Sequence, residues 1–173
     1  MQLSDVKTIK ASPETVWAAI LNPEVLKLCV PGCESMTGSV EDGFEATVKQ
    51  KIGPVSASFS GVVKLSDIDP GRGVTITGEG KGGAAGFAKG GAKVRLTPVE
   101  GGTELAYEVD ASVGGKIAQL GSRLIDGFAK KMADEFFTRF QDALEGREEG
   151  ESDEETNTED APKKGWFKRM IGA

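Results

Sequence analysis

The sequence of 173 residues contains no histidine and only two cysteines, Cys29 and Cys33. The lack of histidine excludes Ser-His-Asp and Cys-His catalysis, histidine-containing zinc sites and an imidazole switch near neutral pH. Two cysteines alone cannot complete a four-thiolate metal site. Three residues separate them, whereas redox and metal motifs usually have two, so we expect two reduced, structural thiols.

Long apolar runs are also missing, since no stretch of 18 apolar residues occurs in the chain. The sequence therefore predicts no transmembrane helix. The first ten residues, MQLSDVKTIK, lack the apolar core of a secretory signal, and we expect a cytoplasmic protein. With 38% apolar and 28% charged residues, the composition indicates one globular domain.

Charge is concentrated near the C-terminus. Nine acidic side chains and one arginine lie within residues 145–160, and four cations follow within residues 163–173. The formal net charge of −6 is thus the sum of −8, +4 and about −2 for the residues before 145. Because a nearly neutral body offers no basic surface, we do not expect binding to DNA or RNA.

The order of elements is strand, two short helices, a series of hairpins and one long helix. Ser12 and Pro13 begin a helix that ends near Asn22-Pro23, and a second helix covers residues 24–29. Turn residues separate the later strands, which are predicted at 44–52, 55–68, 74–77, 93–99 and 104–113.

Apolar residues at spacings of three and four predict one long helix over residues 116–144. The resulting fold class is α+β, with a curved antiparallel sheet of about seven strands around the C-terminal helix. If sheet and helix splay apart, an apolar cavity remains between them. Gly121 and Gly127 in the predicted helix have two interpretations, room for that cavity or close packing on the sheet.

The glycine-rich segment 78–83 matches the G-x-G-x-x-G dinucleotide pattern, but the residues that follow predict a strand rather than the required helix. A hairpin loop bordering a pocket, with Phe87 as its large apolar residue, is the preferred interpretation. No carboxylate lies in an apolar run that would raise its pKa for acid catalysis. The sequence therefore predicts no catalytic constellation.

The C-terminal residues 163–173 combine apolar and basic side chains on opposite sides of a possible short helix. Trp166, Phe167, Met170 and Ile171 share one side, and Lys164, Lys168 and Arg169 occupy the other. This pattern is typical of a helix that lies in a membrane interface or binds in the groove of a partner. The alternative is a frayed terminus that folds back on its own domain.

Three segments resemble the G-subunit family of carbon monoxide dehydrogenase, within the START/Bet v 1-like helix-grip superfamily. They are CVPGCE at 29–34, IGPVSASFSGVVKLSDIDP at 52–70 and GGKIAQLGSRLIDGFAKKMADEFFTRF at 114–140. The resemblance implies a helix-grip domain and a role beside a molybdenum–copper carbon monoxide dehydrogenase or related molybdenum hydroxylase. It further implies handling of a respiratory quinone, menaquinone or ubiquinone, at the inner face of the cytoplasmic membrane.

We therefore predict a ligand-binding domain at 1–145, an acidic disordered linker at 146–162 and a membrane-binding tail at 163–173. The expected function is a non-enzymatic quinone or lipid carrier without a metal, and the alternative is a recruitment adaptor with no ligand. Tyr107 is the expected hydrogen-bond donor to a quinone carbonyl. The predicted ligand-binding residues are Leu26, Phe44, Phe59, Phe87, Tyr107, Leu120, Leu124 and Phe128. The predicted membrane-binding residues are Lys163, Lys164, Trp166, Phe167, Lys168, Arg169, Met170 and Ile171.

Overall fold

A computed structural model describes the backbone of residues 1–154 and the side chains of residues 1–145. Seven strands and three α-helices form the domain. The strands are β1 (Gln2–Ile9), β2 (Cys33–Ser39), β3 (Gly43–Ile52), β4 (Val55–Asp69), β5 (Gly73–Lys81), β6 (Phe87–Val99) and β7 (Gly102–Gly114). The helices are α1 (Pro13–Ile20), α2 (Pro23–Cys29) and α3 (Ser122–Glu154), with short 3-10 helices at Gly83–Ala85 and Lys116–Leu120.

Local capping chemistry explains where α1 and α2 begin. The Ser12 hydroxyl accepts a hydrogen bond from the Thr15 amide at 3.2 Å, and Pro13 occupies the first turn of α1. The Asn22 side chain accepts a hydrogen bond from the Glu24 amide at 2.9 Å, with Pro23 in the first turn of α2. The start of α1 was predicted from Ser12 and Pro13, and the structure confirms it. The second helix was predicted from residue 24, and α2 begins one residue earlier, at Pro23.

All seven strands belong to one antiparallel sheet in the order β1-β7-β6-β5-β4-β3-β2. Side chains alternate between a convex face toward solvent and a concave face toward α3, as β4 illustrates by its alternation of half-buried and exposed residues. The predicted α+β class with a sheet around the C-terminal helix is confirmed.

The glycine-rich region is mostly strand rather than loop. β5 continues to Lys81 and β6 begins at Phe87, so each is longer than predicted. Only the short connection around Gly83–Ala85 forms the hairpin turn. No strand-helix-strand unit occurs at this segment, in agreement with the rejection of a dinucleotide site.

The long helix begins later than predicted. Residues 116–120 form a 3-10 helix, and Gly121 has a φ of +97°, a left-handed conformation that separates this turn from α3. Gly121 therefore lies outside the helix, and a Cβ atom at Gly127 would meet nothing within 4 Å. Neither interpretation of these glycines is correct. Both residues are exposed to solvent, so they neither pack on the sheet nor make room between the sheet and the helix.

At its other end α3 continues past the predicted boundary at Leu144 and reaches Glu154. The first part of the predicted linker, residues 146–154, is thus helical, which corrects the boundary placed at 146. The 33 residues of α3 span about 50 Å at 1.5 Å per residue. The rest of the linker and the tail 163–173 lie outside the described residues.

The buried apolar residues form two separate clusters. The larger one joins α1, the C-terminal half of α3 and the adjoining strands, and it includes Ile9, Val16, Leu105 and Phe140. The smaller one contains Ile52, Ala85 and Ile117, with Leu120 and Phe128 packed against it. The space between the two clusters is where sheet and helix do not close on one another.

Candidate functional site

An apolar cavity of about 440 Å³ lies between the concave face of the sheet and α3. Ile125, Phe128, Met132 and Phe136 form its wall on the helix side. Its volume falls within the roughly 300–1,000 Å³ of small-molecule pockets. The sheet and the connecting segments contribute Met1, Leu3, Val30, Pro31, Val48, Gln50, Ile52, Phe59, Gly80, Ala88, Val109, Ala111, Val113 and Ile117.

The depth of this space comes from a row of small residues across the sheet. Ala46 pairs with Gly61, Gly61 with Gly80, and Gly80 with Ala88, so four neighbouring strands present almost no side chain at this level. A Cβ atom at Gly80 would lie 3.9 Å from its nearest neighbours, which is ordinary van der Waals distance. The room at Gly80 is therefore open space rather than a close backbone approach.

A second apolar space of about 420 Å³ adjoins the first along the middle of the sheet. Val48, Phe59, Gly80 and Ala88 line both spaces. Met36, Val63 and Ile76 extend the lining toward the other end of the sheet. The two spaces together form an elongated apolar trough, which suits a long molecule better than a compact one.

Among the described residues, Gln50 has the one polar side chain that lines the main cavity. Its amide donates a hydrogen bond to the carbonyl oxygen of Pro31 at 2.5 Å. This bond fixes the side chain and leaves its second N–H and its carbonyl oxygen available to a ligand. Since no carboxylate, lysine or arginine side chain lines the cavity, the arrangement fits a neutral molecule with a single polar end.

Two of the eight predicted ligand-binding residues, Phe59 and Phe128, line the cavity. The Phe59 ring lies against Gly82, where a side chain would displace it. Leu120 packs against the smaller cluster, and Leu124 contacts Gly53 while remaining 40% exposed.

The other six predicted residues, Leu120 and Leu124 among them, do not line the cavity, and their placement corrects the prediction. Phe44 is buried elsewhere on the sheet, and Leu26 is half-buried on α2. Phe87 is 39% exposed and covers Gly114. Periodicity identified the concave face but could not tell which positions along it pack and which remain open.

Tyr107 belongs to the larger cluster, where its ring stacks on Phe137 with centroids 5.1 Å apart. Burial raises the pKa of its phenol, and the carboxylates of Asp5 and Asp134 add to this effect. Tyr107 is therefore part of the packed core, and the polar side chain that lines the cavity is that of Gln50. The sequence did contain a signal for the cavity floor: β5 and β6 carry small residues, such as Gly80 and Ala88, at the positions that face the concave side.

The two thiols are free, with Cys29 buried and Cys33 half-buried. Burial raises the pKa of the Cys29 thiol to about 12. The Cys33 thiol donates a hydrogen bond to the carbonyl oxygen of Ser35 at 3.3 Å. A thiol held neutral is a poor nucleophile, so Cys29 acts as a small apolar residue of the core.

Two further properties concern only the described part of the chain. Within it, no group of three or more Cys, Asp or Glu side chains is placed to hold a metal ion. Among residues 1–154, no helix combines the length and the apolar character needed to cross a bilayer. The predicted membrane-binding residues 163–171 lie beyond the described residues.

Comparison with known proteins places the fold among START/Bet v 1-like domains. A conserved protein from Geobacillus kaustophilus has a similar structure, with a TM-score of 0.79, 29% identity and coverage of 84% of this chain and 96% of that one. A START superfamily protein from Mycobacterium smegmatis has a TM-score of 0.63 at 15% identity, covering 84% and 97% of the two chains. Ara h 8.0201 has a TM-score of 0.58 at 15% identity, covering 84% and 98%.

No protein of curated function matches the chain significantly. The family model of the carbon monoxide dehydrogenase G-subunit (CoxG) matches residues 7–145, which include every residue of the cavity except Met1 and Leu3. The chain therefore belongs to the G-subunit (CoxG) family of carbon monoxide dehydrogenase.

Proposed function

We propose that this protein is a non-enzymatic carrier that holds a respiratory quinone, or a similar apolar lipid, in the cavity between the sheet and α3. The observation that carries the proposal is the apolar cavity of about 440 Å³ with Gln50 as its polar side chain. A quinone matches this lining because its ring and isoprenoid chain are apolar and its carbonyl oxygens accept hydrogen bonds. When bound, menaquinone or ubiquinone would supply the capacity to accept electrons.

The protein's own residues have separate tasks in this proposal. Phe59 and Phe128 contact the ligand from opposite walls and exclude water from it. Gln50, held by its hydrogen bond to Pro31, donates its second N–H to a ligand carbonyl. The row of Gly61, Gly80 and Ala88 leaves room for the chain of the ligand.

The family name supplies the partner in this proposal. Members are named for carbon monoxide dehydrogenase, so the carrier would exchange electrons or quinone with a molybdenum–copper dehydrogenase or a related molybdenum hydroxylase at the cytoplasmic membrane. The tail 163–173, with four cations, Trp166 and Phe167, would give weak and reversible contact with anionic lipid. A recruitment adaptor with an empty cavity is the second candidate, because the same tail would serve it.

Filling the cavity from the sheet tests the carrier directly. In Gly80→Leu the added side chain enters open space, so we expect the fold to persist while quinone uptake from vesicles falls at least about tenfold. Thr77→Leu is the matched control, because Thr77 lies on the same strand but is exposed on the convex face. Uptake is measured by separating protein from vesicles and extracting the bound quinone.

Equal uptake by both variants would exclude this cavity as the binding site. No uptake by the unmodified protein would favour the adaptor. Chemical conversion of an extracted ligand by the protein alone would contradict the assignment as a non-enzyme.

A further inference from the structure

Antiparallel strands place alternate turns at opposite ends of the domain. The β3–β4 turn, the β5–β6 turn and the connection from β7 to α3 share one end. Contacts there confirm the grouping, because Gly53 lies against Leu124, Gly86 against Gly115, and Phe87 covers Gly114. We call the segments 49–56, 81–88 and 114–125 the basic end.

Charges are distributed unequally between the two ends. The basic end contains five cations and no acidic residue, the cations being Lys49, Lys51, Lys81, Lys116 and Arg123. The hairpin turns at the opposite end, residues 40–43, 67–72 and 99–102, contain five acidic residues and the cation Arg72, and the β1–α1 connection at that end adds Lys10. Asp126 and Glu79 are the nearest acids along the chain to the basic end, and Glu34 follows the α2–β2 connection, where the Gly32 carbonyl accepts a hydrogen bond from the Lys49 amide. The near-neutral net charge of the body therefore conceals a strong separation of charge along its length.

Apolar side chains are exposed among these cations. Phe87 is 39% exposed and Leu124 is 40% exposed, although each packs against a glycine. All five cations are exposed. Cations around exposed apolar side chains match the charge and the depth profile of an anionic bilayer surface.

The basic end also lies next to the ligand cavity. Ile52 and Ile117 belong to the smaller cluster and also line the cavity. They form the wall of the cavity that faces the basic end. We propose that the basic end is a second membrane-docking surface, in the folded domain itself, that brings the cavity against an anionic bilayer. The inference rests on the proposed carrier function for its purpose, whereas the docking itself requires no bound ligand.

Charge reversal in the full chain tests the surface. Lys51→Glu, Lys81→Glu and Lys116→Glu together should lower the partition onto phosphatidylglycerol-containing vesicles at least about tenfold. The matched control reverses Lys27, Lys64 and Lys93, which are exposed outside the basic end, and so has the same net charge. The tail is present in both proteins, so its contribution cancels. Equal loss in both triple variants would reduce the effect to net charge and overturn the proposal.

A positional readout separates docking of the domain from binding by the tail. An environment-sensitive fluorophore is attached at Ala84→Cys in the basic end or at Glu100→Cys in the opposite turn, each in a Cys33→Ser background with Cys29 buried. We expect a blue shift with anionic vesicles at position 84 and none at position 100. If the protein floats with vesicles while neither label shifts, only the tail binds and the proposal is wrong.

Gly80→Leu distinguishes failure of this inference from failure of the carrier proposal. That variant should dock with the same shift at position 84 while taking up at least about tenfold less quinone than the unmodified protein. Docking without quinone in the unmodified protein would overturn the carrier function alone. Quinone uptake without a shift at position 84 would overturn the docking surface alone.

Discussion

At the scale of single residues, the cavity depends on side chains that are small rather than on side chains that reach into it. Gly61, Gly80 and Ala88 form the floor, and Phe59, Phe128 and Phe136 provide the aromatic side chains of the lining. The polar contribution of the lining comes from Gln50, which the Pro31 carbonyl holds in place. Selectivity for one ligand over another would therefore depend on shape and on a single hydrogen-bonding group.

The buried thiol of Cys29 predicts a decline of stability in alkaline solution. Its pKa rises from 9.0 to about 12 on folding because burial disfavours the thiolate. The unfolded chain thus loses this proton from about pH 9 upward while the folded chain keeps it. The free energy of unfolding should decrease from about pH 9 toward pH 12.

Urea denaturation between pH 7.5 and pH 10 measures this effect. Tyr107, whose pKa burial also raises, contributes in the same direction in every variant and so cancels from the comparison. Cys29→Ala should show a shallower decline above pH 9 than the unmodified chain. Cys33→Ala serves as the control, since Cys33 is only half-buried. Identical slopes in the Cys29→Ala and unmodified proteins would contradict the assignment.

At the scale of elements, α3 performs two different tasks along its length. Its C-terminal half fastens the helix to the domain through Phe140 and Leu144, both of which are fully buried. Its N-terminal half forms the wall of the cavity through Ile125 and Phe128. An ion pair between Lys7 and Asp134 at 3.8 Å and a hydrogen bond from Gln141 to the Thr8 carbonyl tie the middle of α3 to β1.

This division predicts unequal costs for two similar substitutions. Phe140→Ala removes a fully buried ring from the larger cluster and should lower the free energy of unfolding by about 3–5 kcal/mol. Phe128→Ala removes a half-buried ring beside existing space and should cost about 1–2 kcal/mol. Chemical denaturation of both variants makes the comparison. Equal costs would mean that the cavity is closed in solution.

Local signals made most elements predictable. Caps and prolines determine the starts of α1 and α2, and glycine turns separate the strands. The start of α3 was misplaced because Ile117, Leu120 and Leu124 continue the helical spacing across Gly121, whose left-handed conformation the spacing does not reveal. Tyr107 was misplaced for a different reason: it alternates correctly with the concave face, but the long-range contact with Phe137 puts it in the core.

At the scale of the whole molecule, the domain has a basic end and an acidic end, and α3 runs between them. Phe140 and Leu144 pack with Ile9 near the acidic end, and the Lys10 amide donates to Glu145 there. The chain therefore leaves the domain at the end opposite to the proposed docking surface. Since α3 reaches Glu154, eight residues, 155–162, separate it from Lys163.

Removal of residues 163–173 tests the contribution of the tail to membrane binding. Four cations and two aromatic residues are lost, so flotation with anionic liposomes should weaken at least about tenfold at moderate salt. A chain in which Trp166 and Phe167 alone are replaced by serine should show a smaller loss, since its charge is unchanged. Undiminished flotation of the truncated chain would exclude the tail as a membrane contact.

The central claim, that the cavity carries a quinone, is tested most directly by native mass spectrometry of full-length protein freshly purified from a quinone-containing host. We expect a mass increase equal to one quinone per chain, confirmed by organic extraction, and its loss in Gly80→Leu but not in Thr77→Leu. A chain that is consistently empty after gentle purification from such a host would contradict the carrier function.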